Sequence, residues 1–283
     1  MLLTVGIPVY NEEKHIGRLL THLISNDFDF ELKEITVVCS GCTDKSVNIV
    51  RKFMKKSNKI KIILEKKRLG KFSAVNKILT SAKGDYICFI NADAVLGKNS
   101  LNVLARHLGN ANVGMVTDRY VFVKKGNRNA LVQDFQKIIS DIHHEISLVS
   151  PRPGNVWMIK RGIVSRLPRK TINDDVFLES VISNEYKIKY DYSVKSMRFE
   201  NIGLYHFVKQ RQRILQGEIQ LSKRGFRSKT SLNLIAKIIL RKMFQEPQKF
   251  FHILLLCLVE SYCYVTTLLD FKIGKEYYIW DKP

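Results

Sequence analysis

Two acidic signals in the chain have the residue types and surroundings that chemistry on a phosphorylated substrate needs. The first is Asp93, which closes the triplet Asn91-Ala92-Asp93 directly after the apolar run Tyr86-Ile87-Cys88-Phe89-Ile90. A short apolar run without alternation reads as a strand buried on both faces of a parallel sheet. Ligands of open α/β sheets bind just beyond the carboxyl ends of such strands. A carboxylate there suits a hard divalent cation such as Mg²⁺, which takes oxygen ligands and shares them with substrate phosphates. It equally suits a turn residue capping the next segment. The second signal is Asn173-Asp174-Asp175, followed by Val176-Phe177-Leu178-Glu179. Acidic pairs at a helix start are often only first-turn charges favoured by the dipole. In a cleft, one of them can act as a general base on an acceptor hydroxyl.

Further polar groups fall at matching places. Pro8-Val9-Tyr10-Asn11-Glu12 ends the first apolar run and Ser40-Gly41-Cys42-Thr43-Asp44 the second. Arg68-Leu69-Gly70-Lys71 offers a glycine and basic side chains before a helix, which suits a diphosphate. Gln210-Arg211-Gln212-Arg213 supplies amides and guanidinium groups, either as a solvated basic face or as a clamp for a pyrophosphate leaving group. Gly154-Asn155-Val156-Trp157 precedes the acidic pair and offers a wall for an acceptor, with Trp157 equally suited to a core. His143 and His144 face different directions on a helix and do not share a metal ion. Cys39 and Cys42 form a lone CxxC, a weak signal for zinc or redox chemistry.

The elements that position these groups follow from periodicity. Strands are expected over 4–9, 35–39, 60–64 and 86–90, alternating with helices after Asn11 as N-cap, over 46–54 and over 71–82. Strand and helix at this spacing imply a parallel sheet with right-handed crossovers, so the polar signals after the strands converge on one sheet edge. From 99 to 192 the pattern is mixed. Helical segments at 101–108 and 131–148 alternate with strands at 113–116, 120–123, 156–159 and 186–190.

The C-terminal portion differs. Residues 250–269 carry only Glu260 as a formal charge, a length right for a membrane span but with a costly central acid. Residues 232–244 set Leu234, Ile235, Ile238, Ile239 and Leu240 beside Lys237, Arg241 and Lys242, the pattern of a basic helix lying in a membrane interface. The formal net charge of +21 over 283 residues points to an anionic partner: nucleic acid, acidic lipid or a phosphorylated substrate. Five cysteines, an odd number set mostly in apolar runs, suit reduced thiols in a cytosolic setting. The N-terminus lacks a basic n-region and does not read as a signal peptide.

Taken in order, the signals PVYNEE, SGCTD, GK…AVN, NAD, DD and QRQR resemble an inverting family 2 glycosyltransferase of the GT-A fold, over about residues 3–220. The resemblance implies an α/β, Rossmann-like mixed sheet, mainly parallel in its N-terminal half, with flanking helices. A catalytic domain would occupy 1–225 and a C-terminal helical membrane-associating region 226–283. By the same resemblance Pro8, Tyr10 and Glu12 line the nucleoside pocket, Asp93 binds Mg²⁺ or Mn²⁺, and Asp175, beside Asp174, is the catalytic base. Ser40, Lys71, Asn91, Gln210, Arg211 and Arg213 complete the donor site, and Gly154 and Trp157 face the acceptor. Gln210 and Arg213 match the QxxRW motif of membrane-associated members.

Three departures from the family pattern stand out. Asn91 replaces the first acid of DxD, which leaves metal ligation to Asp93. Cys39 and Ser40 replace an acidic pair that often reads the base, and Ile214 replaces the tryptophan of QxxRW. A polysaccharide channel needs several membrane helices, and at most one or two here speak against a processive synthase. The expectation is a non-processive transferase at the cytoplasmic side of a membrane, peripheral or C-terminally anchored. It would move a sugar, with a metal ion, from a nucleotide diphosphosugar to a hydroxyl or phosphate of a lipid-linked or membrane-proximal acceptor and bind no nucleic acid. A nucleotidyltransferase, or a non-enzymatic basic protein on a degenerate transferase scaffold, are the alternatives.

Overall fold

The computed structural model describes residues 1–226, 230–275, 277 and 279. The remainder of the expected membrane-associating region lies outside the described residues. The alternating pattern becomes β1 (Leu2–Val9), α1 (Ile16–Ser25), β2 (Glu31–Ser40), α2 (Ser46–Met54), β3 (Ile60–Glu65), α3 (Lys71–Ser81) and β4 (Tyr86–Ile90). There follow β5 (Val95–Leu96), α4 (Ser100–His107), β6 (Val113–Phe122), α5 (Ala130–Val149), β7 (Val156–Lys160), α6 (Asp174–Ile182) and β8 (Lys187–Arg198). Three helices close the chain: α7 (Leu204–Lys223), α8 (Leu232–Gln245) and α9 (Phe250–Lys272).

The strands form one mixed sheet in the order β3-β2-β1-β4-β7-β6-β8-β5. β1 pairs parallel with both β2 and β4, and β2 with β3. β7 enters antiparallel between β4 and β6, and β8 returns parallel to β6. Both faces of the sheet are covered, so its central strands are apolar without alternation. One core holds Val5, Ile7, Val37, Cys88 and Ile90 under α1, α2 and α4; the other holds Val38, Phe89, Met115, Trp157 and Ile159 under α3 and α6.

Two expectations are corrected. Asn11 does not cap a helix: its φ is 50°, a left-handed backbone that asparagine tolerates, and α1 opens only at Ile16. The Asn11 amide instead laces the loop after β1 to the loop after β2, donating to Thr43 Oγ1 at 3.1 Å and accepting from Thr43 N at 2.9 Å. The two short strands expected at 113–116 and 120–123 are one strand, β6, with a register shift against β8 between Asp118 and Arg119. The polar pair Thr117-Asp118 between those two segments is fully buried. It stays in the strand because its side chains bind backbone of the next loop: Gly154 N to Thr117 Oγ1 at 2.8 Å and Val156 N to Asp118 Oδ1 at 3.0 Å.

The last helices pack on the domain. α9 runs along α7, and Ile253 and Leu256 join Phe135 and Ile138 of α5 and Phe207 of α7 in a third apolar cluster. Pro247–Lys272 is long and apolar enough to cross a membrane by length and composition. One side of it nevertheless rests on the protein, through Ile253, Leu256, Cys263 and Thr267.

Candidate active site

Three loops meet at the carboxyl edge of β1, β2 and β3. Gly41 has a φ of 63°, and a Cβ there would lie 2.5 Å from Arg68 N, so only glycine lets these loops approach so closely. This contact sets the Arg68 guanidinium over the Tyr10 ring at 3.5 Å. Ser40 Oγ accepts from Leu69 N at 3.4 Å, ahead of Gly70, whose φ of 96° opens α3. Glu12 donates its backbone N–H to Ser46 Oγ at 2.7 Å and its carboxylate meets His15 at 2.9 Å. Pro8 pairs in register with Val38 one residue before the edge. Tyr10, Glu12, Ser40 and the Arg68–Lys71 turn are thus neighbours on one ledge. The CxxC lies beside it with both thiols free. Cys42 donates to Val9 O at 3.5 Å, and its hydrogen bond with Cys39 lowers its pKa to about 7.

β4 delivers Asn91 and Asp93 next to this ledge. Asn91 N donates to Asn155 O at 3.0 Å, which ties the end of β4 to the turn before β7. Asn155 Nδ2 in turn donates to Ser196 Oγ at 3.0 Å. Below them Asp118 holds the turn from inside the sheet; burial pushes its carboxyl up to about 6, against the hydrogen bonds it accepts. Gly154 closes over it so tightly that a Cβ would stand 2.3 Å from Asp118 Oδ1.

Asp93 Oδ2 lies 3.0 Å from Arg198 Nε at the end of β8, and its carbonyl accepts from Arg18. Among the described residues no group of three or more His, Cys, Asp or Glu side chains converges as a metal cage. The donor set at Asp93 is one carboxylate already paired with a guanidinium, with the Asn91 amide two positions earlier. That set fits Mg²⁺ or Mn²⁺ where a nucleotide's phosphates supply most of the oxygens.

α6 presents the acidic pair in two different settings. Asp175 opens into a cavity of about 910 Å³ that Asn91, Tyr120, Gly154, Asn155, Arg198 and Arg211 also line. Asp174 is buried, its Oδ2 3.0 Å from Lys71 Nζ; burial raises its pKa and the lysine opposes that shift. Lys71, expected at the donor diphosphate, is therefore an ion-pair partner of Asp174 and lies over the Trp157 ring at 4.9 Å.

Trp157 itself is 1% exposed and stacks on Phe89, so it is core and not an acceptor wall. Its register partner on β4 is Phe89, and both rings pack in the core that lies under α3 and α6.

α7 does something the motif did not suggest. Arg213 is half-buried and donates to Ile172 O at 3.3 Å, and Asn173 Nδ2 donates to Ile214 O at 2.9 Å. These bonds hold the start of α6, and with it Asp175, against α7. Gly217 makes the contact possible, because a Cβ there would meet the Asn173 side chain at 2.4 Å. Arg211 turns the other way, into a two-pronged ion pair with Glu260 of α9 at 2.6 and 3.2 Å. Gln212 follows it, donating to Thr266 Oγ1 at 2.8 Å, while Gln210 stays half-buried on α7. The basic run thus works first as a structural clamp, with only Arg211 of its two arginines reaching the cavity.

Sequence reasoning missed several lining groups. Arg152, Arg198 and Glu218 line the cavity and carry no local signal; Asp118, buried beneath the turn, shows only as a polar residue inside an apolar run. His143 also lines the cavity, edge-on to Tyr120 at 5.3 Å. Burial lowers its pKa to about 4, which makes it a neutral ring.

Comparison with known proteins agrees with this geometry. The model of glycosyl transferase family 2 matches residues 4–167. Glycosyltransferase GlyG of Streptococcus pneumoniae is 22% identical over 232 residues, 78% of this chain and 75% of that protein. The poly(ribitol-phosphate) β-N-acetylglucosaminyltransferase TarS of Staphylococcus aureus is 34% identical over 101 residues, 36% of this chain but only 18% of TarS. Among solved structures, the Pyrobaculum calidifontis mannosyltransferase PcManGT in complex with GDP-Man and Mn²⁺ superposes with a TM-score of 0.62 at 20% identity, over 96% of this chain and 74% of that one. Residues 1–349 of TarS with UDP-GlcNAc give 0.53 at 18% identity, over 99% and 94%. At these identities the solved structures speak for the fold: a mixed α/β sheet of the GT-A kind.

Proposed function

The chain belongs to glycosyl transferase family 2, and from that premise we propose that it transfers a sugar, with inversion and one residue at a time, from a nucleotide diphosphosugar to a lipid-linked or membrane-proximal acceptor. The observation that carries this reading is the shared cavity. Asp175, Asn91, Gly154 and Arg198 open into one space beside the ledge of Tyr10, Glu12 and Ser40. The donor class is the one named for both solved relatives, UDP-GlcNAc for TarS and GDP-Man for PcManGT.

The residues divide the work as follows. Tyr10, Glu12 and Ser40 hold the nucleoside on the ledge, with Pro8 shaping its floor. Asn91 orients the ribose or sugar from the end of β4, and Gln210 and Arg213 support the site from α7. Asp93 would hold Mg²⁺ or Mn²⁺ together with the donor phosphates, and the cation when bound neutralises charge on the departing diphosphate. Asp175 accepts the proton of an acceptor hydroxyl as that oxygen attacks the anomeric carbon. One of its oxygens is held by the Val176 N–H at 2.9 Å, which fixes the carboxyl group toward the cavity. The C–O bond to the diphosphate breaks as the new bond forms, so a single displacement inverts the anomeric centre. Asp174 and Lys71 act as a buried pair that seats α6.

Residues 226–283 form the membrane-associating region of this reading. The outer faces of α8 and α9 expose Leu240, Phe244, Phe251, Leu258 and Tyr262, with Lys237 and Arg241 alongside. An apolar face rimmed by basic residues suits a bilayer surface. The packing of α9 along α7 favours a helix lying in the interface over one that leaves the domain to span. The free thiols suit the cytoplasmic side.

The test is product analysis with Asp175→Asn. The wild-type protein releases nucleoside diphosphate in the presence of acceptor; release of pyrophosphate from a nucleoside triphosphate would identify a nucleotidyltransferase instead. Asp175→Asn should lower turnover by at least about 10²-fold while donor binding persists. Full turnover in that variant removes the base assignment.

A further inference from the structure

We propose that the cavity behind Asp175 binds an amphipathic acceptor: an uncharged, hydroxyl-rich sugar head at Asp175 and one long apolar chain running between α5, α8 and α9. This rests on the transferase reading and names the acceptor class of the same site.

Three observations carry it. The cavity, about 910 Å³, is near the upper end for small-molecule sites, far more than an acceptor hydroxyl needs. Its walls are segregated by element. The strand ends and loops contribute Asn91, Asn155, Asp175 and Arg198, whereas α5 and α8 contribute Ile139, Ile142, Ile146, Leu232, Ile235 and Ile239. A sugar alone would leave that second half empty, and an apolar hollow of this kind is poorly filled by water. Finally, the cavity opens on the apolar outer face. Leu232, Tyr264 and Val265 line it and are also 82%, 50% and 55% exposed, next to Leu258 and Tyr262 on the same helix. A chain resting in a bilayer under that face would enter here without crossing water.

Charge selects the head. Arg152, Arg198 and Arg211 face the cavity against Asp175, Glu179, Glu218 and Glu260. Arg211 pairs with Glu260, Arg198 with Asp93 and Glu200, and Arg152 donates to Thr230 Oγ1 at 3.1 Å. A wall with no cationic excess disfavours a phosphate beside the reacting hydroxyl, and its carboxylates accept hydrogen bonds from sugar hydroxyls.

The experiment uses the full chain and a series of alkyl β-glucosides from methyl to octyl, below their micelle concentrations, with dissociation constants from calorimetry. Each methylene that enters the chamber should tighten binding by about four-fold. Ile239→Trp and Ile146→Trp, each filling the chamber, should flatten the series, with circular dichroism and melting reporting that the fold is kept. A series flat in the wild-type protein overturns the chain site. An octyl phosphate that binds more than ten-fold tighter than octyl glucoside overturns the uncharged head. The two readings fail separately. Chain-length-dependent binding without transfer from any nucleotide sugar sinks the transferase and leaves the chain site. Transfer to methyl glucoside with no gain from longer chains does the reverse.

Discussion

Beside its apolar contacts, α9 is joined to α7 by one two-pronged ion pair, and removing it gives a quantitative test of whether this helix lies on the domain. Arg211 and Glu260 meet through two nitrogens and two oxygens at 2.6 and 3.2 Å, with side chains 19% and 27% exposed. Breaking a fully buried pair from one side costs about 3–5 kcal/mol, and an exposed pair is worth about 0–1 kcal/mol. At this partial burial Glu260→Ala should cost about 2 kcal/mol, chiefly because Arg211 is left desolvated without its anion. Arg211→Ala should cost a similar amount. The double variant should recover about 1.5 kcal/mol relative to the sum, which is the coupling that a double-mutant cycle isolates. Urea unfolding of the four proteins measures it, and the single variants should melt about 4–8 °C lower. A coupling below about 0.5 kcal/mol would refute the docked helix and return α9 to the expectation of a bilayer span.

Three further outcomes follow from the site. Asp118 binds its proton more tightly when folded: its pKa rises from the ordinary 3.8 to about 6. Its contribution is therefore fully present below the unfolded value and is lost as pH rises through the folded one. Urea midpoints should fall between about pH 4 and pH 6 on its account, and Asp118→Asn should flatten that slope; an unchanged slope removes Asp118 as its source. Gly217→Val puts a side chain where a Cβ already lies 2.4 Å from Asn173. Displacing Asn173 shifts the start of α6, so kcat should fall more than ten-fold and stability by about 1–3 kcal/mol; a wild-type kcat would show that α7 does not position Asp175. Arg198→Met frees the Asp93 carboxylate from its guanidinium partner. Mn²⁺ binding without nucleotide, followed by electron paramagnetic resonance, should be weak in the wild type and at least several-fold tighter in the variant. No gain would mean that Arg198 does not compete for Asp93.

Element identity was legible in the sequence because it depends on neighbours a few residues apart. The helix 46–54 and the strand 86–90 were predicted to the residue. The carboxyl-edge placement of Tyr10, Ser40 and Asn91 followed from the same strand-and-helix rhythm. Where a residue's type allowed two roles, the sequence left both open, and long-range pairing chose between them. Lys71 turns to Asp174, about a hundred positions later, and Arg211 to Glu260. Trp157 belongs to the core because its ring packs on Phe89 of the neighbouring strand, more than sixty positions earlier in the chain.

The sequence by itself determined the order of strands and helices, the sheet edge that gathers the polar signals, and a carboxylate at each of two critical places. All of these are set by local periodicity and by the fixed handedness of strand crossovers. Only the tertiary structure decided which acid of Asp174-Asp175 faces the cavity. It also decided that Asp118 braces the turn beneath, that the basic run clamps helices together, and that the apolar C-terminal helix closes over a chamber. Those outcomes depend on burial and on partners distant in the chain. The free energy of a charge is set by whatever surrounds it in space, which one dimension does not record.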